Sequence, residues 1–185
     1  MKNWIKNGVV SAVVASSLVA TQPAFAAVSM VVKIGDIVGE SVVLRHEGEI
    51  DVLEYSWGVA QPNAKVGPQS TGRGGTVNAL TLTKYVDAAS PRLFLDCARG
   101  RVMPTAQFTV LKMGGKVAIE MIKIKLDNVM VASVTTGKPT PADRYTETIT
   151  LVFSAAEYTY TGQRADQSAT APITVKWQSE GTGKI

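Results

Sequence analysis

The chain has 185 residues, 45% of them hydrophobic and 18% charged, with a formal net charge of +4 at pH 7. That length supports one domain with a real core, and a balance this close to neutral argues against a polycationic nucleic-acid binder. One cysteine, Cys97, excludes an intramolecular disulfide, and one histidine, His46, leaves no second imidazole for a zinc set.

Residues 1–26 read as an export signal. Lys2 and Lys6 make a basic start, Gly8 to Ala20 is an uncharged and mostly apolar run, and Ala24-Phe25-Ala26 is a small-x-small cleavage pattern. Cleavage is expected between Ala26 and Ala27. The run is shorter than the about 20 residues a membrane-spanning helix needs, and no later segment reaches that length, so no stable membrane insertion is expected. Removal takes two of the 19 basic residues and none of the 15 acidic ones, leaving a net charge of +2. The competing reading, a true start at Met30, would clip the first strand.

Residues 27–185 read as one mainly β domain. Val28 to Ile34, Val42 to Leu44, Ile50 to Val59, Thr76 to Tyr85, Gln107 to Lys112, Lys116 to Val134, Thr146 to Thr161 and Ile173 to Gln178 are rich in β-branched and aromatic residues. Ile50 and Val52 alternate with Glu49, Asp51 and Glu54, the period of a strand with one wet face. Trp57, at the end of that strand, is expected under the barrel. Full burial would make Trp57→Ala cost about 3–5 kcal/mol. Pro62 to Gly75 is too polar and too poor in large apolar residues to order itself. Gly137 to Pro141 and Gln163 to Pro172 read as exposed turns.

One helix is expected, from Pro91 to Arg99. Ser90 is placed as its cap, Pro91 suits the first helical position, and Gly100 stops it. At about nine residues it is roughly 13 Å long, enough to plug a barrel opening but not to form a layer. Cys97 follows Leu93 and Phe94 by four and three, which reads as a small buried hydrophobe. Met113-Gly114-Gly115 reads as a hairpin turn, with the glycines supplying positive φ.

Two long strands change phase. The apolar set passes from Val117, Ile119 and Met121 to Ile122, Ile124 and Leu126, and from Ile149, Leu151 and Phe153 to Tyr158 and Tyr160. A strand that switches its buried face needs a bulge or a bend, with Asp127-Asn128 and Ala155-Ala156 as further break points. Such bends curl a sheet into a barrel or turn a corner between packed sheets.

Little here is chemistry. A Ser-His-Asp or Cys-His arrangement would rest on His46 alone, and no Gly-x-Ser-x-Gly elbow is present. Glu47, Glu49 and Asp51 share one face of a strand and read as its solvent side, not as an acid and base pair. Gly72-Arg73-Gly74-Gly75 lacks the ending and context of a phosphate loop. Arg92, Arg99, Arg101, Lys112, Lys116, Lys123 and Lys125 are scattered without a nucleic-acid-binding motif. No enzyme, cofactor or metal is expected.

Ordered blocks carry a family resemblance: Lys33-Ile34-Gly35-Asp36 with Gly39-Glu40-Ser41, His46 to Gly58, Leu80 to Pro91, Cys97 with Gly100, Ala106 to Val110, Ile122 to Val134, Glu147 to Phe153, and Val175 with Trp177. In order and spacing they resemble the haemolysin-coregulated protein (Hcp) family, whose members stack as rings into the tube of bacterial type VI secretion systems. The resemblance implies a compact β-barrel of two packed antiparallel sheets with one short α-helix over residues 27–185. It implies a structural, non-enzymatic role as conduit and carrier: self-association into a homohexameric ring, stacking into tubes, and a spike protein, a sheath and small effector proteins as partners. The loop after Ser56-Trp57-Gly58, with Gly67, Pro68, Gly72, Arg73, Gly74 and Gly75, would contact neighbouring rings. Family tubes assemble in the cytoplasm, whereas the signal directs the chain to the periplasm or the extracellular space. An exported, divergent relative acting as a binding barrel is the alternative this conflict raises.

Overall fold

The structure is a computed structural model and describes residues 28–61, 75–112, 118–139 and 144–179. Its elements in chain order are β1 (Val28–Ile34), β2 (Ile50–Val52), β3 (Glu54–Ser56), β4 (Val59–Ala60), β5 (Thr76–Val77), β6 (Leu80–Tyr85), α1 (Ser90–Arg99), β7 (Val102–Lys112), β8 (Ile119–Pro139), β9 (Tyr145–Val152), β10 (Ala155–Tyr160) and β11 (Ile173–Gln178). Nine strands share one antiparallel sheet in the order β2-β1-β7-β8-β9-β6-β3, with β10 paired to β8 and β11 to β10, while β4 and β5 form a separate ribbon. The two ends of that order, β2 and β3, are successive pieces of one chain. Between them the Leu53 amide donates to Thr83 O at 2.8 Å. The sheet thus wraps into a barrel whose ladder is interrupted at Leu53 and not closed by continuous pairing.

Curvature comes from the places where the sequence changes phase. Val110 faces Ile122 and Leu111 faces Glu120, so Met121 is an extra residue in β8, a bulge at the switch from Met121 to Ile122. Asn128 has a φ of 51°, a left-handed conformation that asparagine tolerates better than most residues. On either side of it β8 changes partner: residues 122–127 pair with β10, and Met130 to Pro139 pair with β9. The expected break at Ala155-Ala156 lies instead at Phe153-Ser154. The reason is a shared corner, because the Ser154 amide donates to Asp127 O at 3.0 Å and Asn128 Nδ2 donates to Ser154 Oγ at 2.9 Å.

Inside the barrel Val32, Ile34, Ile50, Leu80, Leu82, Phe108, Ile124, Leu126, Ile149 and Leu151 are fully buried, and Ala89 and Leu93 join them from the helix side. Each large side chain withdrawn from water contributes about 1.5–3 kcal/mol, so these positions outweigh local propensity wherever the two conflict. One such conflict is Val42 to Leu44, expected as a strand and found in a turn-rich segment with Val42 89% exposed. There the Gly39, Ser41 and Gly48 amides bond to Gly48, Glu49 and Ser41 carbonyls, which satisfies the backbone without a ladder.

The helix forms as expected, but not by the expected cap. Ala89 occupies the N-cap position and no side chain caps it, although Pro91 does sit in the first turn. Ser90 fails as a cap because its hydroxyl is used elsewhere, accepting from the Asp87 amide at 3.0 Å and donating to Glu147 at 2.8 Å. At the other end Gly100, at φ 61°, makes a Schellman stop, with Gly100 N–H on Cys97 O and Arg101 N–H on Asp96 O. Cys97 is half-buried against the core beside Leu93, whereas Phe94 is 67% exposed and faces away.

Trp57 also departs from expectation. It is half-buried against the core, stacked on Tyr158 with ring centroids 5.8 Å apart. Trp57→Ala is therefore expected to cost about 2 kcal/mol, below the ~3–5 of a fully buried aromatic. Urea denaturation would read the difference, and a loss above about 4 kcal/mol would return the ring to the deep core.

Candidate assembly surface

Strand register shows which face of the sheet lacks cover. Three rows of directly opposed residues cross β1, β7, β8, β10 and β11. The first is Ile34, Ala106, Leu126, Ala156 and Trp177; the second is Val32, Phe108, Ile124, Tyr158 and Val175; the third is Met30, Val110, Ile122, Tyr160 and Ile173. In an antiparallel ladder opposed residues point to the same face, so each row is a continuation of the core. Burial fades outward along the rows. Phe108 and Ile124 are fully buried, but Val175 is 61% and Ile173 68% exposed.

β10 and β11 therefore form a wing that leaves the barrel at β8 and carries the core's apolar face into solvent. Among the described residues β11 pairs with β10 alone, which leaves its other edge unpaired as well. An exposed edge with alternate apolar side chains is a template for another chain. The opposite face of the wing needs no cover. Lys176 and Glu157 pair across it at 2.9 Å, and this hydrogen bond holds the Glu157 carboxyl below its ordinary range.

The ribbon of β4 and β5, with Val59 opposite Val77 and Ala60 opposite Thr76, carries the candidate stacking loop. Of the expected contact residues, Gly75 lies beside the ribbon, where an added Cβ would come within 3.2 Å of Ala60 O. Gly67, Pro68, Gly72, Arg73 and Gly74 lie outside the described residues, as do Ala26, Ala27 and Met113-Gly114-Gly115, where a hairpin turn was expected. Met30 lies within β1, so a start there would remove the strand's first two residues.

Polar clusters serve the fold. Lys84 is fully buried on the inward face of β6, its Nζ 2.7 Å from Asp87 Oδ1, 2.9 Å from Glu147 Oε1 and 2.7 Å from Tyr85 O. Ser90 completes this group, which pins the start of α1 to β6 and β9. The cluster has a sequence signal: Lys84 continues the inward row Leu80, Leu82, and Glu147 continues Ile149, Leu151 on the paired strand. Asp96 is likewise buried and bridges Arg92 and Arg101 at 2.9 and 3.0 Å. Arg101 also donates to Asp36, which keeps that carboxyl below its usual range.

His46 is buried, with Nδ1 3.1 Å from Glu49 and Nε2 3.5 Å from Glu120. It lines an open cleft of about 350 Å³ with Lys33, Arg45, Gln107 and Lys125. Cys97, on α1, is not among the lining residues. Glu47 lies in a turn and Glu49 in a bend ahead of β2, so of these three carboxylates only Asp51 is on a strand. No described group of three or more His, Cys, Asp or Glu is placed to hold a metal, and no described helix is long and apolar enough to cross a membrane.

A family profile described as "Type VI secretion system effector, Hcp" matches residues 31–160. Protein hcp1 of Pseudomonas aeruginosa is 40% identical over 153 residues, covering 82% of this chain and 94% of that protein. Among solved structures, Hcp1 from Salmonella typhimurium superposes with a TM-score of 0.66 at 29% identity, covering 82% of this chain and 95% of that one. A type six secretion system protein superposes at 0.74 with 24% identity, covering 83% and 96%, a likeness of fold.

Proposed function

The chain belongs to the Hcp family of type VI secretion system effectors, and we propose that it closes head to tail into a six-membered ring, with rings stacking into a tube that carries small effector proteins. Membership makes it a structural subunit of the secretion tube. The observation that supports ring closure is the wing: Tyr160, Ile173 and Val175 extend the core's apolar face beyond the barrel and have no cover among the described residues. Contact between this face and a different surface of the next subunit is heterologous, and such contacts close when the rotation per subunit allows it. A sheath, a spike protein and effectors are the partners that a tube of this family would meet.

Stacking is assigned to the loop borne by β4 and β5. Deleting Gly67 to Gly74 should leave the ring intact and abolish tubes, as read by electron microscopy of concentrated protein. Loss of the ring itself would place that loop on the lateral interface instead.

Residues 1–26 are assigned as an export signal removed at Ala26/Ala27. Mass spectrometry of protein from fractionated cells should find a chain starting at Ala27 outside the cytoplasm. Full-length protein retaining Met1 in the cytoplasm would assign the chain to assembly there, followed by type VI secretion.

A further inference from the structure

The cleft beside His46 is a surface that ring closure does not use. Lys33, Gln107 and Lys125 stand directly opposite one another across β1, β7 and β8. Each is adjacent in the chain to a core residue, Val32, Phe108 or Ile124, so all three point to the other face of the sheet. Lys33 and Lys125 are exposed and lie two strand spacings apart, about 10 Å, with the Gln107 amide between them. Arg45, His46 and Glu49 line the same cleft from the segment ahead of β2.

Charge in this cleft is unbalanced. Of its two carboxylates, Glu120 is held by Lys123 at 2.5 Å, and Glu49 turns Oε2 to His46 Nδ1 at 3.1 Å. Lys33 and Arg45 form no ion pair among the described residues, and Lys125 has only Asp127, at 3.8 Å. Three cations so weakly committed call for a multiply charged anion, and guanidinium and ammonium groups together suit a phosphate. Glu49 Oε1 accepts from no described donor, which adds an acceptor that a hydroxyl satisfies. No large apolar side chain lines the space, so it does not suit a lipid or an aromatic ligand, and its volume of about 350 Å³ fits a small molecule.

From this arrangement we infer that the cleft binds a small phosphate monoester carrying hydroxyl groups, a ligand of the sugar phosphate class. Lys33, Arg45 and Lys125 hold the phosphate, Gln107 donates its amide to it, and Glu49 accepts from a hydroxyl. The cleft and the wing occupy opposite faces of the sheet, so ligand binding and ring closure are separable and neither reading depends on the other.

Calorimetric titration of the full-length chain with glucose 6-phosphate, inorganic phosphate and glucose reads each part. Glucose 6-phosphate is expected to bind with a Kd below about 1 mM, inorganic phosphate at least about fivefold more weakly, and glucose not at all over the same range. Joint Lys33→Gln and Lys125→Gln, at exposed positions, should weaken glucose 6-phosphate at least about tenfold with unchanged far-ultraviolet circular dichroism. Arg45→Asn gives a second reading that does not depend on that pair: Arg45 has a φ of 71°, a conformation asparagine tolerates, so the cation is removed without strain. Lys176→Gln, on the same face but outside the cleft, should change the affinity less than about twofold. No binding of glucose 6-phosphate up to about 10 mM would overturn the site, as would equal weakening by Lys176→Gln, which would reduce the effect to diffuse surface charge. Equal affinity for glucose 6-phosphate and either of the other two probes would overturn the ligand class.

Discussion

Lys84→Met is expected to destabilise the domain by about 3–5 kcal/mol, the loss seen when one partner of a buried ion pair is removed. Lys84 Nζ is the cation in a buried group that holds two carboxylates, Asp87 and Glu147, with side-chain exposures of 8% and 3%. Methionine fills much of the same space and supplies no charge, so both carboxylates would be left in the barrel wall with only Ser90 and backbone donors to satisfy them. The defect should spread to α1, because Asp87 Oδ1 also accepts from the Ala89 amide at 2.9 Å and Ser90 is the helix's first residue. Adding Glu147→Gln to Lys84→Met should recover part of the loss, since the second change removes a charge that the first had stranded. Chemical denaturation of the single and double variants reads both terms. A cost under about 1 kcal/mol for Lys84→Met would mean that water reaches the cluster, as for a surface pair.

Joint replacement of Ile173 and Val175 by aspartate is expected to abolish the ring while leaving the subunit folded. Both side chains are more than 60% exposed in one subunit, and surface changes of this kind shift stability by about 0.5 kcal/mol or less. In a ring contact the same two positions would bury charge against apolar surface with no partner, a penalty large enough to exclude association. Far-ultraviolet circular dichroism should therefore be unchanged while the assembled mass falls to that of one subunit. Rings that survive the double change would move the lateral contact away from the wing.

The strands and the bends were legible in the sequence for one physical reason: burial on one face writes itself as alternation, and a change of face writes itself as a break in alternation. The switch from Met121 to Ile122 marks the bulge, and Asp127-Asn128 marks the corner where β8 changes partners. Val42 to Leu44 shows the limit, because β-branched residues there read as a strand but no strand among the described residues pairs with them. Ser90 shows another. A serine before a proline is a cap by local rule, yet its hydroxyl is drawn into a buried group by Lys84 and Glu147, 57 residues away along the chain in the case of Glu147. The wing was not legible as uncovered surface, since Tyr158, Tyr160, Ile173 and Val175 alternate as a half-buried strand pair would. Only the register, which carries the rows outward from the core to Tyr160, Ile173 and Val175, separates core from uncovered surface.

The central claim is that one subunit of this chain is incomplete and closes into a ring. Its most direct test is the mass in solution of residues Ala27 to Ile185, measured by light scattering across a concentration series. A single species of about six subunits, holding its mass on dilution, is the expected result. A monomer that persists at high concentration would contradict the account, for it would show that the apolar face of β10 and β11 needs no second subunit.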